Sequence, residues 1–100
     1  MLPNRFALTA QSEERLKREK QRTGVPPNIL ARELFFRSIE VGPVIDINKE
    51  LTMGKMHLEK TTWLGELEGA TESAIQAFYG RVSREDSARI WALHIEREIS

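Results

Sequence analysis

From Pro26 to Val41 the chain reads PPNILARELFFRSIEV, a stretch in which apolar positions dominate. At about 100° per residue, Leu30, Val41, Leu34, Ala31 and Phe35 share one arc, and Ile39, Phe36 and Ile29 continue around the back. Only Glu33, Glu40 and Arg37 form a polar strip. This pattern predicts a nearly fully buried helix, with Asn28 as N-cap and Gly42-Pro43 as its end. A chain of 100 residues has few other elements to cover such a helix, so a partner subunit is the expected cover.

Upstream, Asn4 to Thr9 alternates Arg5, Ala7 and Thr9 with Phe6 and Leu8, the period of a half-buried strand. A lone strand needs a partner. The next strand candidate lies beyond residue 42, which makes the same strand of a second subunit the simplest choice. Thr9 is placed to cap a helix running to about Arg22, which Gly24 and then Pro26 end. Its one large apolar residue is Leu16, so it should lie on the surface, braced by Glu13 with Lys17, Glu14 with Arg18 and Arg15 with Glu19.

In residues 43–60, Val44, Ile45, Ile47, Met56 and Leu58 make two short alternating patches around Thr52-Met53-Gly54-Lys55, and a hairpin and a mobile arm both fit. A helical pattern resumes at Thr61 and keeps one face through about Val82 (Leu67, Thr71, Ala74, Ile75, Phe78, Val82), with Gly65 and Gly69 near its start. Ser83 and Asp86 resemble a capping box for a last helix with the stripe Ala88, Trp91, Ala92, Ile95 and Ile99. The expected fold is mainly α and oligomeric. A short N-terminal strand is followed by about four helices, with a ribbon-helix-helix-like unit over residues 1–42, an irregular or hairpin connection over 43–60 and C-terminal helices over 61–100 of a single domain.

The charges balance at 15 basic and 15 acidic residues, yet residues 1–37 carry a net +4 and the remainder −4. An anion-binding face is therefore expected in the N-terminal half. The sequence has no cysteine, which excludes a thiolate nucleophile, a persulfide carrier and a cysteine zinc site. No apolar run approaches the roughly 18 residues of a membrane span, and a cytoplasmic protein is expected.

The strongest candidate chemistry is the basic set Arg15, Lys17, Arg18, Lys20 and Arg22. Arg15, Arg18 and Arg22 fall within roughly 60° of arc opposite Leu16, and Lys17 and Lys20 form a second group. Such rows can follow phosphates, releasing counterions at each contact; a solvated, internally paired face explains them equally well. Lys20 and Arg22 lack a glutamate four residues earlier, so they are the expected free cations. Arg5 and the N–H groups after Asn28 are secondary candidates, since a ribbon can enter a groove and a helix start can take a phosphate. His57-x-Glu59 and His94-x-Glu96 are too sparse for a metal site, Trp63 and Trp91 sit in apolar patterns, and no phosphate loop or nucleophile motif occurs. Neither catalytic residues nor a cofactor are expected.

Strand, helix, Gly turn and helix within 42 residues is the order of a ribbon-helix-helix unit. A sharper likeness lies in MLPNRFALT at Met1 to Thr9, the Leu16-Lys17 helix running into RTGVPPN at Arg22 to Asn28, and TTWLGE at Thr61 to Glu66. These blocks resemble the DNA sulfur modification protein family DndE. The resemblance implies a small DNA-binding subunit of the bacterial phosphorothioation machinery, which exchanges a non-bridging backbone oxygen for sulfur. It also implies homotetramers, association with DndC-like and DndD-like proteins, and binding of double-stranded DNA with a preference for nicks. A ribbon-helix-helix transcriptional regulator or antitoxin-like repressor is the alternative, disfavoured because Ala7 and Thr9 are poor base readers.

Overall fold

The computed structural model describes residues 1–44 and 46–99; Ile45, one of the apolar residues of the connecting segment, lies outside the described residues. The chain is mainly α. Its elements are β1 (Arg5–Phe6), α1 (Ala10–Thr23), α2 (Pro27–Val41), β2 (Leu58–Glu59), the one-turn α3 (Lys60–Leu64), a 3-10 turn (Gly65–Leu67), α4 (Glu68–Tyr79) and α5 (Arg84–Ile99). All four long helices and both strands contribute residues to one hydrophobic core.

The helix buried on nearly every side is α5, not α2. Ser87 and the run Ile90 to Ile95, including His94, are all buried, and α2 packs mainly against this helix. Trp91 sits at the centre, with Phe6 edge-on at 4.7 Å and Trp63 edge-on at 6.4 Å. α2 buries Ala31, Leu34, Phe35 and Ser38 but leaves Ile29 and Val41 exposed, so within one chain only its inner half is covered.

β1 finds its partner in its own chain, which corrects the expected pairing with a second subunit. Arg5 and Phe6 pair antiparallel with Glu59 and Leu58, and Thr9 bridges Met53. Residues 43–57 supply enough chain to return beside β1, and closing such a loop costs only slowly growing entropy. Among the described residues the expected hairpin within this segment does not form. Instead the segment is tied down by Ala10 N donating to Thr52 O (2.8 Å), Gly54 N to Leu8 O (2.9 Å) and Lys60 N to Asn4 O (2.9 Å).

Helix boundaries follow local chemistry. α2 starts at Pro27, whose missing N–H and fixed φ suit the first helical position, with Pro26 as N-cap; the expected Asn28 cap does not form. The Asn28 amide instead donates to Thr62 O at 3.2 Å. The helical pattern after Thr61 breaks at Gly65 (φ 53°), where a Cβ would lie 2.8 Å from an Arg32 guanidinium nitrogen. Arg32 uses that position to donate to Trp63 O and Thr62 O, both at 2.8 Å. α4 ends at Tyr79, before Val82, because Gly80 (φ 71°) turns the chain. The Ser83 cap forms as expected, accepting from Asp86 N at 3.0 Å.

A buried polar knot ties α2, α4 and α5 together. The His94 imidazole meets Ser38 Oγ through Nδ1 and Tyr79 OH through Nε2, each at 2.8 Å. Arg97 donates to Ser38 O and Gly42 O at 2.6 Å and to Pro43 O at 3.0 Å, capping the end of α2 from outside. Burial, and then the Arg97 charge, hold His94 down at about 4 against its ordinary 6.5. Between those values the unfolded chain binds a proton that the folded chain refuses. The His94 contribution is thus complete above about pH 6.5 and is lost as pH falls toward 4, approaching about 3 kcal/mol. Urea unfolding of native protein and of His94→Gln at pH 7 and pH 4.5 checks this: the variant should lack that part of the acid sensitivity.

Candidate nucleic-acid interface

α1 owes its exposure to its sequence. Thr9 caps it, accepting from Ser12 N at 3.2 Å, and Gly24 (φ 77°) ends it, its N–H donating to Lys20 O at 2.8 Å. Only Ser12 and Leu16 are fully buried, with Glu13 partly covered beside them, so a thin seam attaches the helix and most of its circumference faces solvent. All five cations of the predicted set, Arg15, Lys17, Arg18, Lys20 and Arg22, are exposed on this one helix. Lys20 and Arg22 in its last turn also complement the helix dipole, a stabilising role independent of any ligand.

The pairing among them differs from expectation at one end. Glu13 with Lys17 (4.0 Å) and Glu14 with Arg18 (3.8 Å) pair as the spacing suggests. Glu19, however, is taken by Arg22, at 2.6 Å from Nη2 and 3.4 Å from Nε, and not by Arg15. Glutamate preceding arginine is the better order on a helix, and the guanidinium fork rewards it. The hydrogen bond to Arg22 lowers the Glu19 carboxyl below its ordinary value, and the same bond raises Arg22. Arg22 is therefore not the free cation that its spacing implies. Among the described residues Lys20 has no partner, and Arg15 makes no ion pair within 4 Å, acting on Glu19 only through its longer-range charge.

The secondary candidates fare differently. Arg5 is exposed on β1 opposite Glu59, beside a hollow lined by Pro3, Met53, Glu85, Ala88 and Arg89. It does not share an element with the α1 set. At the start of α2, Ile29 N and Leu30 N both donate to Pro26 O, which removes donors that an anion would need.

Sequence reasoning missed a further feature, because Glu13 four residues before Lys17 reads as an ordinary surface pair. The Glu13 carboxylate accepts from Met56 N at 2.9 Å and Lys55 N at 3.4 Å, and its side chain is only 12% exposed. It latches the 52–56 segment to α1. No local signal announces a contact across more than 40 residues.

The buried Ser38–His94–Tyr79 chain has the look of an activated hydroxyl, but Ser38 and His94 are fully enclosed, so no substrate reaches them. No three acidic or histidine side chains among the described residues gather to hold a metal. No described helix is long and apolar enough to cross a membrane.

The family model described as DNA sulphur modification protein DndE matches residues 5–100. This chain belongs to the DndE family. Its role accordingly lies in DNA phosphorothioation modification, as the blocks at Met1 to Thr9, Arg22 to Asn28 and Thr61 to Glu66 suggested. DndE from Escherichia coli B7A, described as involved in that modification, is similar in structure, with a TM-score of 0.88, 43% identity and coverage of 99% of this chain and 96% of that one. A mutant DndE is similar at a TM-score of 0.85 and 40% identity, with the same coverage. No curated protein matches the chain.

Proposed function

We propose that this chain is the DNA-holding subunit of the phosphorothioation machinery, gripping duplex DNA, and nicked duplex above all, through backbone phosphates. The observation that carries this reading is the outward face of α1, where Arg15, Lys17, Arg18, Lys20 and Arg22 are all exposed on a helix that buries only two residues. Phosphate contacts position a protein without reading sequence. The protein performs no catalytic step of its own and works in the cytoplasm beside DndC-like and DndD-like partners. Binding to intact, nicked and promoter duplexes, measured side by side across a salt series, tests this. Affinity should fall steeply with salt and differ little with base sequence. A strong preference for one palindrome would instead support a ribbon-helix-helix repressor.

The same reading includes a homotetramer, supported by the outer half of α2. Ile29 is 44% exposed and Leu67 38%, and with Phe36 they floor an open hollow edged by Glu33, Arg37 and Glu40. Phe36→Glu should shift the assembly toward folded monomers in sedimentation, because a charge on that floor opposes burial against a second copy. Phe35→Glu places the charge in the core, since Phe35 is fully buried, and should unfold the chain. A native chain that sediments as a folded monomer at micromolar concentration would remove the tetramer.

A further inference from the structure

Lys55 belongs to none of the helical rows that sequence spacing reveals, yet the fold carries it to α1. Its backbone N–H rests on Glu13 Oε2 at 3.4 Å, and the Lys17 ammonium stands 4.0 Å from that same oxygen. Two segments 38 residues apart in sequence thus meet at one carboxylate, the first through the Lys17 ammonium and the second through the Lys55 backbone. That carboxylate accepts from two backbone N–H groups, and among the described residues Lys17 is the ammonium within 4 Å of it, so Lys55 keeps its full charge. The Lys55 side chain is exposed and has no partner among the described residues. One helical turn beyond Lys17 stands Lys20, also without a partner.

We propose that Lys55, Lys17 and Lys20 form one phosphate track that crosses from the 52–56 segment onto α1, with Glu13 as the positioning residue that holds its first member in line. The ligand is the phosphate backbone of duplex DNA. A row of ammonium groups continued across two segments matches a repeating polyanion, whereas an isolated phosphate needs convergent donors around a point. Gly54 makes the alignment possible. A Cβ there would fall 2.7 Å from the Glu13 carboxylate, so any side chain would push Glu13 off the Lys55 and Met56 N–H groups.

This inference rests on the DNA-holding reading, and the experiment separates the two. A labelled 20-base-pair duplex is titrated with native protein, Lys55→Ala, Lys55→Arg, Lys20→Ala and Gly54→Ala across a salt series, with thermal unfolding confirming that each variant folds. Lys55→Ala should bind several-fold more weakly and reduce the salt slope by about one for each subunit engaged. Lys55→Arg should bind as native protein does. Gly54→Ala, which changes no charge, should lose affinity as well, because the latch and not the net charge sets the track. If Lys20→Ala weakens binding while Lys55→Ala leaves affinity and slope unchanged, the track ends at Lys17 and the proposal falls. A Gly54→Ala protein that binds as native would overturn the positioning role of Glu13. Salt-insensitive binding by the native protein would sink the DNA-holding reading itself, and the track with it.

Discussion

Trp91→Ala should destabilise the chain by about 4 kcal/mol, close to the whole stability of many domains of this size. Trp91 is 1% exposed and is the common neighbour of Phe6 on β1 and Trp63 on α3, so its removal opens a cavity where sheet, connecting helix and α5 meet. Rigid neighbours on three elements cannot all collapse into that space. Trp91→Phe should behave otherwise. The indole Nε1 is buried with no hydrogen-bond partner among the described residues, an arrangement that costs the fold about 1–3 kcal/mol. Phenylalanine removes that orphan donor while keeping most of the ring, so the loss should be within about 1 kcal/mol. Urea midpoints at constant m decide the matter, with Trp63 left as the fluorescent probe. Equal losses for the two variants would mean that the indole N–H is satisfied.

That centre was only partly legible in the sequence. Periodicity located α1, α2 and α5, and local chemistry located the Thr9 and Ser83 caps and the Gly24 turn. It singled out α2 as the most buried helix because α2 is uniformly apolar. α5 hides Ser87 and His94 among its buried residues, and polar side chains that are satisfied in the core look like surface residues in a one-dimensional pattern. His94 is enclosed because Ser38 and Tyr79, 56 and 15 residues away, meet its two ring nitrogens. The pairing of β1 with β2 was hidden for a related reason. Leu58–Glu59 is only two residues long, and the alternating patch of Met56 and Leu58 fits a local hairpin as well as a pairing with β1, so its partner rather than its own pattern fixes it.

The site was legible in composition and not in pairing. All five cations were visible as a set, but spacing by four assigned Glu19 to Arg15, whereas the structure gives it to Arg22. A guanidinium three residues downstream reaches the same carboxylate with better order and two donors. The choice between i+3 and i+4 partners depends on rotamers, which a sequence does not display.

The consequence is a specific ranking of Lys20, Arg15, Arg22 and Arg18 in the DNA contact proposed for α1. Lys20→Ala and Arg15→Ala remove charges with no ion pair to break, so their full cost should appear in affinity. Arg22→Ala also releases Glu19, and Arg18→Ala releases Glu14, so each leaves an uncompensated carboxylate on the face proposed to meet DNA. On charge alone the four substitutions are equal, each removing one positive charge. They differ in contact. A phosphate must compete with Glu19 for Arg22 but has no competitor at Lys20. The Lys20→Ala/Arg15→Ala double variant should therefore lose about tenfold or more in affinity at 0.1 M salt, and its salt slope should fall by about two for each subunit engaged. Arg22→Ala should lower affinity through repulsion by the freed Glu19, with a smaller change in slope because fewer counterions were displaced at that position. Helix content should hold in the double variant, since neither side chain makes a hydrogen bond or ion pair among the described residues, while Arg22→Ala removes a hydrogen-bonded pair near the α1 end. Should the double variant bind nicked and intact duplex as the native chain does, α1 would be a solvated face only, and Arg5 with its neighbours on the sheet side would be the next surface to substitute.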